Sequence, residues 1–186
     1  SFGIADGSSH YGPTPDWFLP PVSYGESNIP IIMIDTYGQE IPDEPRIPAY
    51  MGIIDNESGI NHIDDPFNDY EGNITIEKRG NSPQWQGKSP YRFETVGADG
   101  ENNNVSLLGM PEENDWVLYA PWQDKTMIRN VLTYQLSNEM GRYASRTRYC
   151  ELYLNGDYRG VYVLMEKIKR DQNRIDISRM EPDETT

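Results

Sequence analysis

The sequence predicts an α+β fold, in which one principal helix packs on a mainly antiparallel sheet. Three observations lead to this prediction. Short β-branched runs are bounded by turn residues, one segment has apolar residues at helical spacing, and one Asn-Gly pair joins two alternating runs. With 186 residues, the chain is long enough for one domain with a hydrophobic core.

Four strands are predicted in the first half of the chain. The runs IPIIMIDT (29–36) and AYMGIID (49–55) are apolar and β-branched, and each lies beside a loop rich in turn residues. A loop rich in Asp and Asn follows at 56–73. The third and fourth strands are predicted at NITIEKR (73–79) and YRFET (91–95).

The principal helix is predicted in DKTMIRNVLTYQLSNEMG, residues 124–141. Asp124 suits the N-cap, because its carboxylate can accept a hydrogen bond from a free backbone N–H. Gly141 suits the helix end, where a left-handed residue often follows the last turn. The apolar residues predicted to share one face are Ile128, Val131, Leu132, Leu136 and Met140.

The clearest hairpin is predicted in TRYCELYLNGDYRGVYVLME, residues 147–166. Asn155 and Gly156 suit a type I′ turn, in which both central residues have positive φ. The basic stretch KIKRDQNRIDIS (167–178) follows and is predicted to end in one more short strand.

The domain organisation follows from composition. Residues 1–26 are rich in Gly, Pro and Ser and are predicted to form an extended lead-in that packs Trp17 and Phe18. Residues 27–178 form the predicted domain, and 179–186 a polar tail. The chain begins without Met and shows no signal peptide, which is typical of a processed or excised piece.

Charge and residue usage exclude several function classes. The chain has 16 basic and 30 acidic residues and a net charge of −14, so nucleic acid is not an expected partner. No apolar run approaches the roughly 20 residues that span a bilayer. Cys150 is the single cysteine, so no internal disulfide can form. His10 and His62 are far apart, and no metal site is expected from them.

The loop between the third and fourth strands is a candidate anion site. Arg79, Lys88 and Arg92 lie close together there in an otherwise acidic chain. Gly80 permits close approach of the backbone to a ligand, and Ser82 adds a hydroxyl group. The alternative is an ordinary solvated turn, and these residues alone leave both interpretations open.

Other charged residues beside apolar segments have a structural and a functional interpretation. Arg129 lies near the apolar face of the predicted helix, where an ion pair with an acidic strand residue is the structural alternative. Glu166 and Lys167 end the apolar strand GVYVLM, where ordinary surface charge is the structural alternative.

Three long segments together resemble the spore-coat protein H (CotH) kinase family. They are IEKRGNSPQWQGKSPYRFE, LLGMPEENDWVLYAPWQDKTMIRNVLTYQLSNEMG and RTRYCELYLNGDYRGVYVLMEKIKRDQNRIDI. The resemblance runs from about Asn28 to Ser178. It implies the N-terminal portion of an atypical protein Ser/Thr kinase that uses ATP and a divalent metal such as Mg²⁺. It also implies a secreted or bacterial cell-surface parent protein, such as a lipoprotein.

By this resemblance, the domain is expected to be a kinase-like small lobe that binds ATP. The turn with Arg79 and Ser82 would cover the phosphates, and Lys88 would pair with them. The helix that carries Arg129 would take the place of the kinase αC helix. The backbone near Glu166 and Lys167 would border the adenine.

The sequence departs from the family pattern in two ways. Ser89 follows Lys88 where the family often has a second lysine, so one positive charge is missing. The catalytic and metal-binding aspartates of the family are expected beyond residue 186, in a C-terminal lobe that would be the partner of this domain. The fragment is therefore expected to bind ATP without catalysing phosphoryl transfer and to need no cofactor of its own.

Two other interpretations remain open. A non-catalytic extracellular adhesive or glycan-binding module would show a row of exposed aromatic rings, with Trp85 and Trp122 among them. A structural half-domain, which only completes the core of its parent, would show a large exposed apolar patch.

Overall fold

The computed structural model describes residues 25–80 and 87–179, together with the short strands β1 (Ile4–Ala5) and β2 (Ser8–Ser9) near the N-terminus. Strands β1 and β2 pair with each other in antiparallel orientation. The proposed lead-in residues Trp17 and Phe18 lie outside the described residues.

Seven strands close into a β-barrel that contains the hydrophobic core. Strand β4 pairs with β5, and β7, β8, β9, β11 and β10 follow in that order, each antiparallel to its neighbour. A parallel pairing of β10 with β4 closes the barrel. The strands are β4 (Ile31–Asp35), β5 (Ile47–Ile54), β7 (Tyr70–Lys78), β8 (Tyr91–Thr95), β9 (Asp115–Tyr119), β10 (Thr147–Leu154) and β11 (Asp157–Glu166).

A second two-stranded sheet and a helix also lie outside the barrel. The short strands β3 (Glu26–Ser27) and β6 (Asn61–His62) pair in antiparallel orientation. The helix α1 (Arg129–Glu139) has eleven residues and connects β9 to β10. No helix in the described part of the chain is long and apolar enough to span a bilayer.

The barrel interior is filled with apolar side chains. Successive strand residues point to opposite faces, so every second residue enters the core. On β8, Tyr91 and Phe93 are buried in the core, whereas Arg92 is only partly buried. The largest of the almost completely buried side chains in the core cluster are Trp116, Tyr162 and Phe93. Burying side chains of this size stabilises the fold by roughly 1.5–3 kcal/mol each.

The predicted α+β fold with a kinase-like small lobe is wrong. The structure is mostly β, and its seven-stranded sheet closes on itself instead of presenting an open face to a helix. Because the strands supply both sides of the core, no helix is needed to cover it. Helix α1 accordingly contains no buried residue.

The helix begins later than predicted. Its N-cap is Ile128, and Asp124 lies in the turn before it. The Asp124 carboxylate still accepts hydrogen bonds from the backbone N–H groups of Thr126 and Arg129, at 3.1 and 3.0 Å. Gly141 has a φ of 75°, which confirms the left-handed residue predicted after the helix.

The apolar face of the helix points away from the core. Leu132 and Leu136 are each 49% exposed, Ile128 is 51% exposed and Met140 is 75% exposed. The spacing predicted these residues to share a face, but they are not core residues. An exposed apolar face of this kind is the feature that the half-domain interpretation requires.

The local predictions fare better than the fold class. The four strands of the first half are confirmed as β4, β5, β7 and β8. Asn155 and Gly156 have φ values of 52° and 80°, which confirms the predicted turn. Two predictions are wrong. The segment 56–73 contains β6 and the start of β7, and the predicted last strand is a single bridge between Arg170 and Ile175.

Candidate functional site

A cavity of about 350 Å³ lies between helix α1 and the outer face of strands β8, β9 and β11. Its size falls within the range of small-molecule sites in proteins. The polar lining comes from Arg79, Arg92, Asn130, Ser145, Glu166 and Lys167. The apolar and aromatic lining comes from Val117, Tyr119, Tyr134, Met165 and Ile168.

Residues that lie in register on three neighbouring strands form the floor of the cavity. Arg92 on β8 lies opposite Val117 on β9, and Val117 lies opposite Met165 on β11. Side chains in one row across a sheet point to the same face, so these three residues line the cavity together. One end of the row is therefore cationic and the other end is apolar.

Arg79 supplies a guanidinium group to the cavity. Its backbone N–H donates to the carbonyl oxygen of Pro90 over 3.0 Å, which closes the base of the loop between β7 and β8. Gly80 has a φ of 87°, in the left-handed region that favours glycine. Arg79 forms no ion pair with any residue that the structure describes. The predicted site residue Ser82 lies outside those residues.

Glu166 is a buried member of an ion-pair network, so the interpretation as surface charge is wrong. Oε1 accepts hydrogen bonds from Nη1 of Arg146 at 2.7 Å and Nη1 of Arg174 at 2.8 Å. Oε2 accepts from the hydroxyl of Tyr143 at 3.1 Å and the backbone N–H of Arg146 at 2.9 Å. Four donors surround the carboxylate, and these hydrogen bonds hold the end of β11 in place.

The neighbouring Tyr143 has a raised pKa because of burial and of the Glu166 carboxylate. Burial raises the pKa of Tyr143 to about 12, and the charge of Glu166 and its hydrogen bond act in the same direction. The Tyr143 hydroxyl therefore stays protonated at neutral pH and keeps donating to Glu166. This contact ties the segment after helix α1 to the wall of the cavity.

Lys167 is partly neutralised within the site. Its Nζ lies 2.8 Å from Oδ1 of Asp115, and Nζ of Lys169 lies 2.8 Å from Oδ2. Burial acts to raise the pKa of Asp115, but the hydrogen bonds from the two lysines hold it well below its ordinary value. Nζ of Lys169 also lies 2.7 Å from Oε1 of the buried Glu113, so these two lysines are matched by two carboxylates.

Arg92 is also paired. Its Nε donates to Oε1 of Glu77, and Glu77 also accepts from Nε of Arg46 at 2.7 Å. The Glu77 side chain is only 3% exposed and lies between two guanidinium groups on the outer face of the barrel. Arg46 also pairs with Glu94, and Nη2 of Arg92 lies 3.6 Å from Oε1 of Glu44, so these two guanidinium groups are matched by three carboxylates.

Lys88 does not line the cavity. Its ammonium donates to the carbonyl oxygen of Val161 and lies 4.3 Å from the ring centroid of Tyr162, a residue of the barrel core. Burial lowers the pKa of Lys88. The lysine that resemblance assigns to the phosphates therefore has a different set of contacts in this structure.

Arg129 lies at the start of helix α1 but does not line the cavity either. Its side chain is 77% exposed, and its Nε lies 3.5 Å from Oδ1 of Asp124. Its ion-pair partner is thus in the preceding turn, not in a strand as the structural interpretation expected. The next residue, Asn130, lines the cavity.

The structure brings Arg79, Glu166 and Lys167 together and leaves Lys88 and Arg129 apart from them. Sequence reasoning missed Tyr119 and Ser145 as lining residues. The alternation along NDWVLYAP could have placed Tyr119 on the outer face. No local signal points to Ser145, whose hydroxyl is buried without a hydrogen-bond partner among the described residues.

Two other sequence expectations concern aromatic rings and metal ions. Trp122 is 52% exposed, and Trp85 lies outside the described residues. Tyr37 and Tyr158 are exposed as well, at 62% and 54%. Among residues 25–80 and 87–179, no group of three His, Cys, Asp or Glu side chains is arranged to hold a metal ion.

The family assignment comes from comparison with known proteins. The family described as CotH kinase protein matches residues 76–183, which is more than half of the 186 residues. The matched region includes the loop at Arg79, helix α1 and the hairpin of β10 and β11. No curated protein matches the chain significantly. The chain belongs to the CotH kinase family.

Proposed function

We propose that this chain is the nucleotide-binding part of a CotH-like atypical protein kinase, and that the cavity beside helix α1 receives ATP. One observation carries the proposal. The cavity combines the guanidinium of Arg79, which has no ion-pair partner among the described residues, with an apolar wall that includes Val117 and Met165. A nucleotide needs both features, because its phosphates are anionic and its base is flat and weakly polar.

The charges of the site favour the phosphates at one end. Arg79 is available for a charge-assisted hydrogen bond to phosphate oxygen. Lys167 contributes a second cationic group to the lining, and Asp115 partly balances its charge. Glu166 does not repel the ligand strongly, since its carboxylate is neutralised by two arginines.

The aromatic and apolar end favours the base. Tyr119 and Tyr134 lie beside Val117, Met165 and Ile168 in the cavity lining. Stacking on a tyrosine ring and contact with apolar side chains suit any flat heteroaromatic base. Ser145 also lines the cavity beside these residues.

The remaining elements of the kinase reaction are proposed for the parent protein. Resemblance to the family supports a protein Ser/Thr acceptor, a divalent metal such as Mg²⁺, a C-terminal lobe with catalytic aspartates, and a secreted or cell-surface location. When bound, the metal would neutralise phosphate charge. The described residues do not include a fitting metal-binding group, so no step is assigned to a metal in this chain.

Calorimetric titration with ATP and with adenosine tests the proposal. Arg79→Ala should weaken ATP binding roughly 10- to 100-fold, which is the effect of losing a hydrogen bond between charged groups. Adenosine binding should change less than about twofold, because Arg79 contacts only phosphate. The matched control is Arg159→Ala, which removes an arginine that does not line the cavity. Equal loss for both ligands, or no ATP binding by the unaltered chain, would contradict the proposal.

Lys88→Ala tests whether Lys88 contacts the phosphates of bound ATP. To reach a phosphate, the Lys88 ammonium must leave the Val161 carbonyl and the Tyr162 ring. A loss of ATP affinity comparable to that of Arg79→Ala would show that the Lys88 ammonium moves to the phosphates when ATP binds. Unchanged ATP affinity would remove Lys88 from the site and leave Arg79 as the phosphate ligand.

A polysaccharide panel distinguishes the glycan-binding alternative. Trp122→Ala should leave ATP binding unchanged, because Trp122 does not line the cavity. Polysaccharide binding that depends on Trp122, together with an absence of ATP binding, would favour the adhesive module over the nucleotide site.

A further inference from the structure

Helix α1 borders a second cleft, of about 410 Å³, which lies between the helix and the start of β10. We name it the α1–β10 cleft. The residues that line it are Val131, Gln135, Asn138 and Glu139 on the helix side and Ser145, Arg146, Thr147 and Arg148 on the strand side. The proposed nucleotide site uses other residues of the helix, Asn130 and Tyr134, and shares only Ser145 with this cleft.

The start of β10 has a neighbouring strand on one side only. Residues 147–154 pair with β11, but the parallel pairing with β4 begins at Glu151, whose backbone N–H donates to the carbonyl oxygen of Pro30 at 2.8 Å. Alternate residues of a strand direct their backbone groups to the same side. Thr147 and Tyr149 therefore direct theirs to the side on which no described strand lies. We name residues 147–150 the β10 overhang.

Hydrogen bonds tie the two walls of the cleft together near both ends of the helix. Before the helix, the carbonyl oxygen of Met127 accepts from the Tyr149 hydroxyl at 2.8 Å. Near the helix end, the Asn138 side chain donates to the carbonyl oxygen of Ala144 at 3.0 Å and accepts from its N–H at 2.9 Å. The cleft between these contacts is therefore formed before any ligand binds, which lowers the cost of binding.

Arg148 brings a positive charge to the cleft that no described ion-pair partner neutralises. Its Nε donates to the carbonyl oxygen of Leu108 at 3.1 Å, and its Nη1 donates to that of Thr147 at 2.9 Å. Both acceptors are uncharged, so they hold the guanidinium in place without matching its charge. A carboxylate is the group that a guanidinium binds best in this situation, because the hydrogen bonds are charge-assisted.

The other charges around the cleft largely balance one another. Nη1 of Arg146 lies 2.7 Å from Oε1 of Glu166, which also pairs with Arg174. Glu139 adds one carboxylate on the helix side. With Arg148, three guanidinium groups and two carboxylates lie around the cleft, in a chain whose net charge is −14. The positive charge is thus local and lies on the strand side.

The overhang and the guanidinium together indicate one kind of ligand. Unpaired backbone groups on a strand can pair with an added extended segment, which lengthens the sheet by one strand. Four residues of strand span roughly 13 Å, so the overhang offers room for a short segment. A small anion would use Arg148 alone and leave the overhang unpaired.

We propose that the α1–β10 cleft binds an extended acidic peptide segment of a partner protein, which adds a short strand beside the β10 overhang. The backbone N–H groups of Thr147 and Tyr149 donate to this segment, and one of its Glu or Asp side chains pairs with Arg148. This site is independent of the nucleotide site, so either proposal can fail without the other.

Amide hydrogen exchange of the free chain, followed by NMR, tests the overhang. The N–H of Tyr149 should exchange at least roughly tenfold faster than that of the buried Cys150, which points toward β11. Slow exchange of the Tyr149 N–H at every protein concentration would mean that a segment of this chain covers the overhang. Slow exchange only at high concentration would mean that a second copy does. Either result would overturn the proposal.

Short peptides test the occupant. The probe is acetyl-Thr-Glu-Val-Glu-Thr-amide, and the matched neutral peptide has Gln in place of both Glu residues. The acidic peptide should bind at least about fivefold more tightly and should slow the exchange of the Tyr149 N–H. Versions with N-methyl groups on Val or on both Glu residues block opposite edges of the peptide. Only one of these versions should bind, because only one edge faces β10.

Substitution of the arginine connects binding to charge. Arg148→Gln should abolish the preference for the acidic peptide and change the affinity for the neutral peptide less than about twofold. The matched control is Arg159→Gln, an arginine that does not line the cleft, and it should leave the preference unchanged.

Glutarate separates a peptide from a free anion, because it supplies two carboxylates without a peptide backbone. Glutarate should not slow the exchange of the Tyr149 N–H. Slowing equal to that caused by the acidic peptide would overturn the proposal in favour of a small-anion site. Equal affinities for the acidic and neutral peptides, or an unchanged preference in Arg148→Gln, would overturn it as well.

Discussion

Arg174 donates a hydrogen bond from Nη1 to Oε1 of Glu166 over 2.8 Å, and both side chains are completely buried. The guanidinium carbon of Arg174 also lies 5.0 Å from the ring centroid of Trp116, a core residue. This pair joins the segment after β11 to the barrel. It also neutralises the carboxylate beside the proposed nucleotide site.

Removal of Arg174 should destabilise the protein strongly. Arg174→Ala leaves Glu166 buried with one cation fewer, and breaking a buried pair in this way costs about 3–5 kcal/mol. The matched control is Arg159→Ala, since Arg159 forms an exposed pair with Asp157 at 3.3 Å. Exposed pairs contribute less than about 1 kcal/mol. Urea unfolding measures both, and similar losses in the two variants would show that the buried pair is not stabilising the fold.

Gly52 should not tolerate a side chain. The Cβ of Gly52→Ala would collide with the Phe67 ring, and such overpacking costs about 1–3 kcal/mol. A double-mutant cycle with Phe67→Ala should recover much of this loss, because the second change removes the colliding ring. Free energies of unfolding for the four proteins give the coupling. Additive effects would mean that the two residues are not in contact.

Acid should destabilise the fold through Asp115. Its folded-state pKa lies below its ordinary value of 3.8, so its contribution to stability is present above pH 4 and is lost as the pH falls through the folded-state value. Asp115→Asn should therefore reduce the loss of stability between about pH 5 and pH 2. Urea unfolding at several pH values measures this. Asp64→Asn is the control, and equal pH profiles for the two variants would contradict the expectation.

The apolar face of helix α1 should contribute little to stability. Leu132→Gln and Leu136→Gln should each change the free energy of unfolding by less than about 1 kcal/mol, because both side chains are half exposed. The contrasting variant is Leu152→Ala, which removes a fully buried core side chain and should cost about 2–5 kcal/mol. If the helix substitutions cost as much as the core substitution, the helix packs against the barrel in solution.

Most of the strands could be predicted because their signals are local. Alternating burial along YRFET and the positive φ of Asn155 and Gly156 depend on neighbouring residues, and both are visible in the sequence. The helix was also recognisable from its spacing. The sequence did not show what surrounds the helix, because a 3.6-residue period indicates which residues share a face but not what covers that face.

The closure of the barrel is a tertiary property. Strand β4 near the start of the chain pairs in parallel with β10 near its end, with Ile31 opposite Glu151 and Ile32 opposite Leu152. No local pattern selects a partner so distant in sequence. Once these strands pair, the sheet has no free edge and its apolar face is enclosed inside the barrel, so no helix is needed to cover it.

The candidate site also has some features that the sequence predicts and others that only the tertiary structure decides. A cation in the loop at Arg79, and the charged end of a strand at Glu166 and Lys167, are apparent from the chain itself, because residue type and turn chemistry are local. The fold alone buries Glu166, because Arg146 and Arg174 approach it from separate segments. It likewise turns Lys88 toward Val161 and Tyr162, away from the cavity, since the direction of a long side chain is set by the surfaces that meet around it.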